Sequence, residues 1–221
     1  PLLNSQFRYD DLQENAVFVN DGGTAGKWDD QDYVLFYGQS PVQWYYNSSQ
    51  NRYYHQANYY SDSTFYFITF NGGTGNPKRI QQSASLSVTP DFVVNSFDDY
   101  QYHELDKTNF VKSGREFYGE SFDINLNQTF SFNFPNILQQ TVTIKTVFAG
   151  HSPGVTSSAS ARYQNITLFS GTYTTGSQYT DDYAMERTTT STFLPSAGDV
   201  VNIDFTFTPA NTECIGFLNY I

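Results

Sequence analysis

Between Val200 and Thr208 the chain switches polarity at every residue: Val201, Ile203, Phe205 and Phe207 alternate with Asn202, Asp204 and Thr206. A period of two puts one set of side chains on each face of an extended strand. The same alternation appears where Phe130, Phe132 and Phe134 are separated by Ser131 and Asn133, with Thr129 before them. Val142, Ile144 and Phe148 fall on one side of the run that starts at Thr141, and Ile166 and Leu168 alternate with Asn165 and Thr167. Each run predicts one buried and one wet face, which is the pattern of antiparallel sheets packed against each other. The predicted fold class is therefore all-β: an antiparallel, jelly-roll-like β-sandwich with few or no helices. Residues 33–37 and 64–70 are more continuously apolar and read as strands covered on both faces. Residues 91–99 leave room for a short helical turn at most. Asp21-Gly-Gly, Asn71 to Pro77, Ser152-Pro-Gly154 and Ser196 to Asp199 punctuate the runs with turn-forming residues. No fixed-period repeat is present, which disfavours a propeller or solenoid.

The texture changes near residues 81–88. Before it the chain is Tyr-rich and irregular; after it comes regular alternation. We predict a smaller Tyr-rich β subdomain over residues 1–82 and the sandwich over 83–221. With 18% aromatic and 15% charged residues in 221, a sizeable core is available. A net charge of -11, from 11 Lys+Arg against 22 Asp+Glu, argues against nucleic acid and against an anionic membrane surface. No apolar run approaches the roughly 20 residues that span a bilayer, so no direct membrane insertion is expected. The single cysteine, Cys214, excludes an internal disulfide. The acidic, Asn/Thr/Ser/Tyr-rich composition fits an exported surface protein. The chain begins at Pro1, and we read it as a mature or trimmed segment whose export signal has been removed.

Few residue clusters suggest chemistry. His103-Glu104 lacks the second histidine of a zinc-protease helix, since position 107 is Lys107. Asp29, Asp30 and Asp32 form an oxygen-rich patch that a hard cation such as Ca²⁺ would favour, although the spacing is not that of an EF-hand. A solvated hairpin tip is the preferred reading, and no cofactor is required. Asp98-Asp99 and Asp181-Asp182 are read the same way. Cys214 follows Glu213, whose charge is expected to raise the thiol pKa, so a buried and inert cysteine is favoured. Glu116 and Glu120 bracket Phe117-Tyr-Gly119 and form the one carboxylate pair of glycosidase type, but Arg115 beside them points to an ion pair. The many tyrosines would suit sugar stacking, although aromatic strands more often fill a core. Asn47, Asn127 and Asn165 begin Asn-x-Ser/Thr triplets, as chance allows in so Asn- and Thr-rich a chain.

Several segments carry a family resemblance. They are Glu14 to Gly23, Asp32 to Gly38 followed by Pro41 and Trp44, His55 to Ser61, Phe65 to Thr69 with Lys78-Arg-Ile80, His103-Glu-Leu-Asp106, Lys112 to Glu120, Thr143-Ile-Lys-Thr146 and Gly216 to Ile221. In order and spacing they are similar to the N-terminal region of the PorU-type sortases of the type IX secretion system, gingipain-like cysteine peptidases of family C25 from Bacteroidetes. The resemblance runs from about residue 14 to the end of the chain. It implies a surface enzyme that removes C-terminal sorting domains from secreted cargo. Its Cys–His pair would lie in a following α/β domain, so no catalytic residue carries over to any position here. The implied partners are that C25 protease domain, secreted cargo and outer-membrane components of the secretion system, at the bacterial cell surface. Lys112, Ser113, Gly114, Arg115, Glu116, Tyr118 and Glu120 make the most distinctive loop, read as a structural clamp or an interaction surface. The alternative expectation is a freestanding adhesion or carbohydrate-binding β-sandwich module.

Overall fold

The structure, a computed structural model, describes residues 12–58, 60–70, 75–112, 116–178 and 181–221. Among them there is no helix; these residues form twelve strands joined into antiparallel sheets. Two compact units divide it, Pro1–Ser96 and Phe97–Ile221. The texture change near residues 81–88 falls within a stretch, residues 81–96, that carries no strand.

The alternating runs lie in the second unit. Its strands are β5 (Ser121–Phe122), β6 (Asn127–Asn133), β7 (Val142–His151), β8 (Ser157–Tyr163), β9 (Ile166–Tyr173), β10 (Met185–Phe193), β11 (Val200–Thr208) and β12 (Ile215–Tyr220). One sheet has the order β10-β7-β12-β5 and the other β6-β11-β8-β9. The pairings nest: β8 with β9, β7 with β10, β6 with β11 and β5 with β12. A long antiparallel ribbon thus folds back at the β8–β9 hairpin and sends its successive pairs to alternate sheets. That is the winding of a jelly roll, as predicted.

Alternation decides what fills the space between the sheets. Val201, Ile203, Phe205 and Phe207 of β11 are 1–4% exposed and point inward with Phe130 and Phe132 of β6. Phe148 of β7 is fully buried at the centre, its ring 5.3 Å from Phe122, 5.6 Å from Tyr173 and 6.2 Å from Phe205. Burying each such ring contributes about 1.5–3 kcal/mol. The rings fit because the backbone beside them is bare: a Cβ at Gly150 would stand 2.4 Å from Cγ of Tyr173. On the wet face of β6 and β11 the alternate residues pair across the strands. Thr129 Oγ1 donates to Asp204 Oδ1 at 2.6 Å, Ser131 Oγ to Asn202 Oδ1 at 2.7 Å, and Thr206 Oγ1 to Asn127 Oδ1 at 2.8 Å.

One strand departs from simple alternation. Ile166 is exposed, while Leu168 and Phe169 are both buried. The register between β8 and β9 shifts at Ala161/Arg162, with Ala161 opposite Phe169 and Arg162 opposite Thr167. The extra residue, Leu168, is a bulge that reverses which parity faces the core. Where β9 meets β10 of the other sheet, Arg187 Nε donates to the Thr172 carbonyl at 3.0 Å and Ser191 Oγ donates to the Leu168 carbonyl. Side chains of one sheet therefore satisfy edge carbonyls of the other.

The first unit holds two hairpins: β1 (Val17–Asn20) with β2 (Tyr33–Phe36), and β3 (Gln43–Asn47) with β4 (Arg52–Gln56). Residues 78–80 run beside β1, with Val17 N donating to the Lys78 carbonyl and Ile80 N to the Val17 carbonyl. Tyrosines pair across β3 and β4, Tyr45 with Tyr54 at 5.4 Å and Tyr46 with Tyr53 at 5.2 Å. No described residue of this unit is buried. This corrects the expectation for residues 33–37 and 64–70. Only 33–36 form a strand, largely exposed, and 64–70 form none. A two-stranded ribbon has no second layer with which to cover either face. Residues 91–99 form no helical turn, because so short a segment cannot offset the cost of helix nucleation.

Candidate functional site

The described part of the distinctive loop belongs to a strap, residues 103–112 and 116–120, laid along β12. Its two ends are bonded to that strand by backbone groups. His103 and Ile221 exchange N–H···O=C bonds of 2.9 and 3.0 Å. At the other end Gly119 N donates to the Leu218 carbonyl at 2.8 Å, and Leu218 N to the Glu120 carbonyl at 2.9 Å. Midway, Thr108 and Tyr118 exchange a pair of 2.9 Å bonds that close the strap on itself. Its aromatic residues then find a second small core on the face of the sheet opposite to Phe148. There Tyr118, Ala149 and Phe217 are buried, with Phe110 packed against them. Phe110 stacks on Tyr118 at 4.3 Å and meets Phe217 edge-on at 4.7 Å.

The polar residues of the strap are paired into this frame. His103 Nε2 lies 2.8 Å from Glu120 Oε1, and its ring packs 4.8 Å from Phe130 of β6. Burial pushes the Glu120 carboxyl up, but the His103 bond and charge more than offset it and hold the group below its ordinary value. Glu120 Oε2 is buried without a hydrogen-bond partner. Tyr118 donates its hydroxyl to Glu186 Oε2 of β10 at 2.8 Å. Burial, and then that carboxylate, push the phenol well above its usual range. Asn219 Nδ2 of β12 donates to Glu116 Oε2 at 3.2 Å. Asp106 is raised by partial burial and by the charges of Glu104 and Glu116. Among its described residues the cluster is acidic, and its groups serve to fasten one layer onto another.

Of the predicted loop residues, Glu116, Tyr118 and Glu120 come together on β12 and β10, and Lys112 stands exposed in the left-handed region at φ 52. Ser113, Gly114 and Arg115 lie outside the described residues, and with them the expected Arg115 ion pair. Sequence reasoning missed His103, Phe110, Glu186 and Asn219 as members of this frame. His103 and Glu120 are 17 residues apart and Tyr118 and Glu186 are 68 apart, so no spacing rule connects them.

The acidic loop between β1 and β2 uses its carboxylates locally. Asp29 accepts from Thr24 N at 2.6 Å and Gln31 N at 3.2 Å; Asp32 accepts from Gly22 N and Asp29 N, each at 2.8 Å. These backbone donors, Thr24 first and Gln31 next, hold the Asp29 carboxyl below its ordinary value. Asp30 sits beside them in the same loop, in a shallow concavity with Trp28 and Gln31. Among the described residues no group of three or more His, Cys, Asp or Glu is placed to hold a metal ion.

Cys214 is buried, 3% exposed, and its thiol donates to Asn211 Oδ1 at 3.1 Å. Burial pushes the thiol up, but the polar groups around it, of Ser157 first and then Asn211, Ser152 and Ala210, outweigh it and the net shift is downward. The upward shift expected from Glu213 is thus corrected: nearby donors, not the neighbouring carboxylate, dominate. The histidines are engaged elsewhere, His55 beside Trp44, His103 with Glu120, and His151 bonded to the Tyr183 carbonyl. No thiol–imidazole pair forms among these groups.

Together these features define an all-β, jelly-roll-like sandwich with a strapped sheet and a preceding Tyr-rich hairpin unit. Its fold is that of part of a solved protein, the dimeric latent PorU from Porphyromonas gingivalis. The likeness has a TM-score of 0.65 at 21% identity, and covers 98% of this chain and 19% of that one. No family model matches this sequence, and no curated protein does.

Proposed function

We propose that this chain is the non-catalytic β region of a longer, sortase-like cysteine peptidase of family C25, one that processes the C-terminal sorting domains of type IX secretion cargo at the bacterial surface. The observation that carries this reading is the likeness along 98% of the chain to one stretch of PorU. The ordered sequence segments from Glu14 to Ile221 point the same way. The buried, Asn211-bonded Cys214 supports a chain with no reacting centre of its own. In this role the sandwich braces a peptidase domain of the same polypeptide, and it presents a surface to cargo or to outer-membrane components of the secretion system.

The test is the parent reading frame followed by a deletion. We expect the frame to continue past Ile221 into a domain carrying a cysteine and a histidine in catalytic register. Removing residues 97–221 from that parent should abolish cargo processing, while Cys214→Ser should leave it intact. A stop codon at Ile221, or processing lost in Cys214→Ser with the fold retained, would overturn the reading.

A further inference from the structure

We propose that a polar pocket on the wet face of the sheet β6-β11-β8-β9 binds a neutral sugar ring through its hydroxyl groups. The pocket lies wholly within the second unit, so it is present whether or not the chain continues past Ile221. Its volume is about 290 Å³, and Tyr163, Gln164, Ser196, Val200, Asn202 and Asp204 line it.

Strand parity builds the floor. Val200, Asn202 and Asp204 share the face of β11 opposite to the buried Val201, Ile203 and Phe205. The neighbouring strand fixes two of them: Thr129 Oγ1 donates to Asp204 Oδ1 at 2.6 Å, and Ser131 Oγ donates to Asn202 Oδ1 at 2.7 Å. Each bond engages one atom of its side chain. Among the described residues, Asp204 Oδ2 and Asn202 Nδ2 have no partner, so the floor presents an acceptor beside a donor.

Two loops build the wall. Gln164, in the β8–β9 turn, has a φ of 52, a left-handed backbone that is uncommon for glutamine and that gathers at functional positions. Its Nε2 donates to Ser196 Oγ at 3.0 Å, and Ser196 N donates to the Tyr163 hydroxyl oxygen at 2.7 Å. The turn is thus tied to the loop before β11, and the wall is formed in advance of any ligand. A preformed wall loses less freedom on binding.

The ligand class follows from the groups on offer. Arg162 stands opposite Asp204 in the strand register and on the same face, so the carboxylate already has a cation as its cross-strand neighbour. Among the described residues no cluster is placed to hold a metal ion. What remains is a donor–acceptor pair with apolar surface from Val200 and Ala197 beside it. A hydroxyl group both donates and accepts, so it satisfies Asp204 and Asn202 together, whereas an apolar ligand would leave them unpaired. Adjacent hydroxyls on a ring with an apolar face are the chemistry of a sugar.

Nuclear magnetic resonance titration of the 221-residue chain with the methyl glycosides of glucose, galactose, mannose and N-acetylglucosamine tests this. At least one should shift the amide signals of Gln164, Ser196 and Asn202 saturably, with a Kd on the order of 1 mM. Asp204→Ala and Asn202→Ala, both exposed positions, should each weaken binding about 10-fold or more, while Thr206→Ala outside the pocket should not. No saturable shift with any of the glycosides, the same shifts produced by glycerol, or undiminished binding in either folded variant would overturn the proposal. Should a variant fail to fold, the pattern of shifts in the unaltered chain decides.

Discussion

Glu120 shows how one side chain ties stability to pH. Its folded-state pKa lies below the ordinary value of 4.5, chiefly because His103 offsets the effect of burial. A group shifted downward stabilises the fold above its unfolded pKa and loses that contribution as pH falls through the folded value. We expect the melting temperature of residues 97–221 to fall on acidification below about pH 4.5. Glu120→Gln should flatten that acid limb and cost about 1–2 kcal/mol at pH 7, where a charge-assisted bond is replaced by a neutral one. A thermal melt followed by near-ultraviolet circular dichroism across pH 3 to 7 (roughly the span of carboxylate titration) measures both. Gly150 carries a steric constraint of comparable weight. A methyl group there would meet Tyr173 at 2.4 Å, against a ring that is fully buried. Gly150→Ala should destabilise by about 1–3 kcal/mol, read from the midpoint of chemical denaturation.

At the scale of elements, β6 and β11 were legible in the sequence because nothing interrupts their parity. Phe130 and Phe132 face Val201, Ile203 and Phe205 as alternation requires. In β9 the same reading placed Ile166 and Leu168 inward: Leu168 is buried, Ile166 is exposed at the hairpin end opposite buried Tyr163, and beyond the bulge at Leu168 the buried residues are Phe169 and Tyr173, a change of parity that alternation does not foresee. The strap was visible only as an unusual stretch. Its role depends on contacts with β10 and β12, and a local pattern does not encode partners so distant. Tyr118→Phe tests how far the strap depends on its polar anchor. Losing the bond to Glu186 should cost about 1 kcal/mol and speed exchange of the Thr108 and Tyr118 amides. The Phe148 core should be untouched, since the hydroxyl lies on the opposite face. Equal loss in both regions would show that the two layers unfold as one.

For the whole molecule, the two units differ in kind. Residues 97–221 own a continuous aromatic core, and residues 12–96 own none among those described. The second unit expressed by itself should therefore fold cooperatively, with a stability on the order of 5–15 kcal/mol in urea denaturation. The first should not. Broad, non-cooperative melting of 97–221 would show that the sandwich leans on residues before it. Composition foretold that a large core exists but not where it ends. The first unit carries as much aromatic character as the second, and exposure rather than residue type separates them. Phe65, Phe67 and Phe70 read as interior residues in sequence because side-chain chemistry records a need for cover without saying which part of the molecule supplies it.

The lone thiol at the head of β12 also gives the sandwich a natural clock. Because Cys214 is 3% exposed and the chain has no other cysteine, an alkylating reagent reaches it only when the neighbouring loop or the whole sandwich comes apart. Labelling should track the opening rate at high reagent and the open population at low reagent. A thiol that labels as fast in the native protein as in urea would show that the β12 end gapes on its own.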